Sequence, residues 1–138
     1  MSNFWRVWLN GWCYLVILLG LGLSGAGIEG FESFTRNLMW YLNFEAVPMF
    51  TPIERFALGL VGAITVGWGL TLLYYIQMAH YSNEGNRVWR RLIGVLLVWY
   101  VIDGYISYRT GFKLNIASNS VIFLAFFVPL YLSGKLKR

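Results

Sequence analysis

From Phe56 to Met78 the chain reads FALGLVGAITVGWGLTLLYYIQM, without a single charged residue. A hydrocarbon core roughly 30 Å thick needs about 20 mainly apolar residues to cross it as a helix, and this run is long enough. Lipid offers no partner for a free N–H or C=O, so a segment of this kind must close its own backbone hydrogen bonds, as an α-helix does. Three further runs follow the same logic. One extends from Val7 to Ile28, interrupted only by Asn10 and by small residues; another from Leu92 to Tyr108 contains Asp103; the last, Leu114 to Leu132, opens with Asn115, Ser118, Asn119 and Ser120. The composition agrees, since 12% charged residues is about half the share of a soluble domain, and 58% of the chain is hydrophobic. The expected fold is an all-α membrane protein, with four transmembrane helices in an antiparallel bundle forming one domain over 1–138.

Between the first two spans, Phe31, Phe34, Leu38, Tyr41 and Leu42 recur at helical spacing among polar residues. This predicts a short interfacial helix over about 31–45. Pro48 and Pro52 mark the turn into the second span. Ser24-Gly25-Ala26 imitates a leader cleavage site, but the segment reads as a retained first span. With four spans both termini share a side. Arg6, Arg87, Arg90, Arg91, Lys135, Lys137 and Arg138 collect there, against Arg36, Arg55, Arg109 and Lys113 opposite, which predicts cytoplasmic termini. The net charge of +5 is then explained by topology and attraction to anionic lipid, and not by a nucleic-acid partner.

Trp5, Trp8 and Trp12 fall near one face at the start of the first span, and Trp89 adjoins a cluster of arginines; such positions suit indole anchors at the headgroup level. Gly59, Ala63 and Gly67 repeat every four residues and predict a close helix approach, within the bundle or against another subunit. Cys13, the only cysteine, reads as a buried thiol.

Asp103 is the main candidate for chemistry. At 1.5 Å per residue it lies about 17 Å into the span, where an aspartate costs about 2.5 to 3.5 kcal/mol unless neighbouring helices satisfy it. Ser107 shares its face, and Asn115 and Asn119 enter from the fourth span one turn apart. Arg55 and Arg36 are further candidates, because long stems reach inward. Two readings stay open: a hydrogen-bond clamp between the third and fourth spans, or a polar site for a lipid, isoprenoid or quinone headgroup or for a proton. The single histidine, His80, has no second ligand to complete a metal site and is expected in a solvated turn; it offers at most one ligand to a tetrapyrrole. Glu29 and Glu32 are expected on an exposed rim.

Several motifs now stand together: GAITVGWG at 62–69, NRVWRR at 86–91, WYVIDGYISYRTG at 99–111, LNIASN at 114–119, and Pro129. In pattern and order they resemble a group of small, uncharacterised bacterial four-helix membrane proteins, similar in layout to the DoxX-like class. The likeness covers about Phe56 to Leu132. It implies a four-helix bundle in a bacterial inner membrane and brings no activity with it. The sequence as a whole is read as a non-enzymatic accessory or stabilising subunit of a membrane complex. Its expected partners are membrane lipids and either a membrane protein or further copies of itself. No cofactor is expected beyond a bound lipid or one tetrapyrrole.

Overall fold

A computed structural model describes residues 1–45, 49–81 and 85–136, all helical or irregular with no strand among them. The helices are α1 (Asn3–Ser24), continued by a 3-10 turn at Gly25–Gly27, then α2 (Ser33–Leu42), α3 (Pro52–Tyr81), α4 (Gly85–Arg109) and α5 (Lys113–Leu132). Four of them, α1, α3, α4 and α5, are long and apolar enough to cross a membrane. Pro48, Lys137 and Arg138, to which the sequence assigns a turn and part of the basic C-terminus, lie outside the described residues.

Helix ends follow local chemistry. α3 begins at Pro52, one turn before the expected Phe56, because Thr51-Pro52-Ile53-Glu54 is a capping box. The Thr51 N–H donates to Glu54 Oε2 at 2.7 Å, and the Glu54 N–H returns to Thr51 Oγ1 at 3.4 Å. Proline at the first helical position has no N–H to leave unpaired. α5 ends in a left-handed turn at Gly134, where the Lys135 N–H closes onto Leu130 O at 3.0 Å.

The chain divides into two compact units. Unit 1 comprises Met1–Trp12 with Leu72–Arg138, and unit 2 comprises Cys13–Thr71. In unit 1 the start of α1 is fixed to α5 by indole donors: Trp8 Nε1–H reaches Ala125 O at 2.8 Å, and Trp12 Nε1–H reaches Ile122 O at 2.9 Å. Leu72, Ile76 and Ala79 place one stripe of α3 in the core, and Trp89, Leu92 and Leu96 do the same for α4. Trp12 and Trp89 are therefore core residues and not headgroup anchors. An indole whose N–H finds a carbonyl inside the fold can be buried whole, and Trp12 does so. Trp5 and Trp8 keep partial exposure and cluster with Phe4.

In unit 2 the second half of α1 lies backbone to backbone against α3. A Cβ on Gly62 would strike Ser24 N and lie 2.6 Å from Gly20 O, one on Gly20 would lie 2.7 Å from Val66 N, and one on Gly59 would lie 3.1 Å from Gly27 Cα. The close-packed stripe is thus Gly59, Gly62, Val66 and Gly69, rather than Gly59, Ala63 and Gly67. Ala63 is exposed, and Gly67 has open space where a Cβ would go. Gly59 belongs to both sets; the true contact line advances by three or four residues, as ridges and grooves do, while a strict step of four drifts off the face. Thr35 of α2, fully buried, donates to Gly22 O at 3.0 Å and fixes α2 to α1.

Adding a methyl group at two glycines of α3 separates these faces. Gly62→Ala is expected to destabilise the protein by about 1–3 kcal/mol through overpacking, while Gly67→Ala is neutral or gains up to about 1 kcal/mol in helix propensity. Thermal unfolding in detergent micelles would read both; equal midpoints would contradict the packing described.

Candidate functional site

α4 and α5 are joined by Thr110, Gly111 and Phe112, and the turn depends on Gly111, whose φ of 85° is a left-handed conformation suited to glycine. α5 then returns alongside α4. Polar residues one turn apart on each helix, Asp103 with Ser107 and Asn115 with Asn119, consequently meet. Asn119 Nδ2 donates to Asp103 Oδ1 at 2.6 Å, Asn115 Nδ2 to the same oxygen at 2.8 Å, and Ser107 Oγ to it at 3.1 Å. Asn115 Nδ2 also donates to Ser107 Oγ at 2.8 Å. One turn away along the seam, Tyr100 Oη and Ser120 Oγ share a hydrogen bond of 2.8 Å. Asn119 and Ser107 are buried, while Asp103 and Asn115 are half-buried.

All three donors converge on one carboxylate oxygen, and Oδ2 receives none among the described residues. A carboxylate offers about four lone-pair sites over its two oxygens, so half the group is filled and half is unused. The filled half joins two spans. The unused half is the part able to take a proton, a hydroxyl or an ammonium group.

Arg36 and Arg55 are not partners of Asp103. Both bind Glu32 in unit 2: Arg36 Nη2 lies 2.8 Å and Arg55 Nη2 3.2 Å from Glu32 Oε1, and the Gly30 N–H donates to Oε2 at 2.7 Å. Glu32 is accordingly buried at 8% exposure, which corrects the expectation of an exposed rim; Glu29 is exposed. The Arg55 hydrogen bond first, with backbone N–H donors behind it, holds the Glu32 carboxyl well below its ordinary 4.5, at about 2, against the opposing effect of burial. The spacing Glu32 to Arg36, four residues apart on one helix face, was the available signal for this pair.

His80 also departs from expectation. It sits in the last turn of α3, half-buried, with its ring 5.2 Å from that of Trp89 and its Nε2 enclosed without a partner. A solvated turn residue would have neither feature. Among the described residues no three His, Cys, Asp or Glu side chains gather as a metal site. Comparison with known proteins finds no matching family model, no matching curated protein and no matching solved structure.

Two substitutions probe these clusters. Asp103→Leu strands the amides of Asn115 and Asn119 and is expected to cost about 1–3 kcal/mol, whereas Asp103→Asn, which keeps an acceptor, costs under about 1 kcal/mol; chemical unfolding in micelles would show whether the order holds. For Glu32 the folded pKa is depressed, so its contribution is complete above about 4.5 and disappears as the pH falls through about 2. Glu32→Gln should therefore unfold more easily than wild type at pH 7 and equally at about pH 2, and a gap that persists in acid would refute the ion pair as its source.

Proposed function

We propose that this chain is a non-enzymatic accessory or stabilising subunit of a larger membrane assembly, embedded by four antiparallel spans in a bacterial inner membrane. Both termini are cytoplasmic, and α2 lies along the opposite interface. The observation that carries this reading is the use made of Asp103: its donors come from its own helical hairpin, so the one acidic side chain deep in a span is committed to fastening α4 to α5. Such contacts average only about 0.6 kcal/mol each, but they select one register over others. The charge distribution supports the orientation. Of the 11 Lys and Arg, seven fall on the side of the termini and four, Arg36, Arg55, Arg109 and Lys113, on the other. The resemblance to small bacterial four-helix proteins supports the choice of membrane.

Docking is assigned to the face of α3 that bears Ala63 and Gly67, which the packing of unit 2 leaves open. The Trp5 and Trp8 flank sits at the headgroup level. A second reading is favoured by one feature, the Asp103 Oδ2 that no donor among the described residues satisfies: a polar site for a lipid, isoprenoid or quinone headgroup, or for a proton.

Blue-native electrophoresis of tagged protein at its natural level separates the two. Gly67→Leu, whose Cβ has open space within 4 Å, should reduce comigration with a larger complex about tenfold while leaving the chain folded. Asp103→Asn should leave comigration intact. Unchanged comigration of Gly67→Leu would remove docking from this face, and an Asp103→Asn protein that assembles but loses a retained lipophile would favour the second reading.

A further inference from the structure

Four helix ends of unit 1 meet in one place: the start of α1, the end of α3, the start of α4 and the end of α5. The Arg6 guanidinium lies 5.3 Å over the ring of Tyr81, next in sequence to His80, whose own ring faces Trp89. Arg6, Lys135 and the amino terminus all stand close enough to His80 for their charges to act on it. Among the described residues no carboxylate pairs with Arg6 or Lys135. A guanidinium over an aromatic ring keeps its charge, and its fork of N–H donors is the group that grips phosphate oxygens.

The same end contains an unmet polar demand. Asn10 Oδ1, His80 Nε2, Trp89 Nε1 and Ser133 Oγ are buried and have no hydrogen-bond partner, and in unit 1 they are all the atoms in that condition among the described residues. Ser133 lies two residues before Lys135, and Asn10 one turn after Arg6. Buried polar groups in folded proteins are almost always satisfied, so these orphans, at the end that holds Arg6 and Lys135 with no carboxylate partner among the described residues, call for a ligand that brings both negative charge and oxygens. Arg109 and Lys113, at the other end of the α4–α5 hairpin, are also cationic, but no orphaned polar atom accompanies them.

We propose that this end of unit 1 is a binding site for an anionic phospholipid headgroup. The phosphate is received by Arg6 and Lys135, and a headgroup or glycerol hydroxyl supplies the partner that Ser133 Oγ, two residues before Lys135, lacks. A zwitterionic headgroup fits poorly, because its ammonium would face the same cations. The inference rests on membrane placement alone and is independent of any docking partner.

The test uses the purified full chain in a neutral detergent, with thermal unfolding followed after addition of dimyristoyl phosphatidylglycerol or dimyristoyl phosphatidylcholine at equal mole fraction. A ligand that binds only the folded chain raises the midpoint, and the anionic lipid should raise it by about 4 °C or more beyond the zwitterionic one. Arg6→Gln combined with Lys135→Gln should abolish that difference. Arg109→Gln combined with Lys113→Gln should preserve it. Equal effects of the two lipids would overturn the proposal, as would loss of the difference in both double variants, which would mean diffuse charge attraction. Abolition of the difference by millimolar inorganic phosphate would assign the site to a soluble anion instead.

Discussion

In a hydrocarbon core a polar group without a partner has no water to fall back on, and this protein is organised around that constraint. Its backbone answers with helices. Its one mid-span carboxylate is answered by Ser107, Asn115 and Asn119, all within a single helical hairpin. The short turn at Gly111 makes this possible, because it sets residues one helical turn apart on α4 opposite residues one turn apart on α5. If the turn were longer by a residue, the facing register would change and the donors would miss their oxygen. The indole donors of Trp8 and Trp12 extend the same principle to α1, which they hold to backbone carbonyls of α5.

Unit 2 solves a different problem with different residues. Apolar side chains gain little by facing one another when lipid is just as apolar, so association there relies on close backbone approach. Gly20, Gly59 and Gly62 provide it, and Ser24 and Thr35 turn their hydroxyls onto carbonyls of α1. The Glu32 pair of ion bridges then fastens α2 to the start of α3. The two units share α1 and α3 yet depend on separate chemistry, one on neutral amides and indoles, the other on glycines and an ion pair.

The existence of the four long helices was legible in the sequence, since charge-free length and backbone satisfaction admit few alternatives. The Asp103 seam was legible as well, because Asp103 with Ser107 and Asn115 with Asn119 each lie one turn apart on either side of a short turn. Less legible were features that depend on which neighbour a face meets. Trp12 and Trp89 look like interface anchors until a carbonyl or a histidine ring is found beside them. The Gly59–Ala63–Gly67 repeat gives the right helix but drifts from the contact line, which only the partner backbone of α1 defines. Arg36 and Arg55 have stems long enough to reach inward, and only the i to i+4 spacing of Glu32 and Arg36 signals the ion pairs they form instead. The capping box at Thr51-Pro52-Ile53-Glu54 was visible throughout and moves the start of α3 by a full turn.

A chain whose mid-span carboxylate is engaged within its own α4–α5 hairpin, and which leaves many large apolar side chains exposed, fits the proposed role of stabilising something larger than itself. Native mass spectrometry of the protein extracted mildly from its own membrane at natural abundance tests that most directly. The account predicts that the chain is released together with the subunits of a larger membrane assembly, in fixed proportion. Release as a lone chain, or only with further copies of itself, would contradict it.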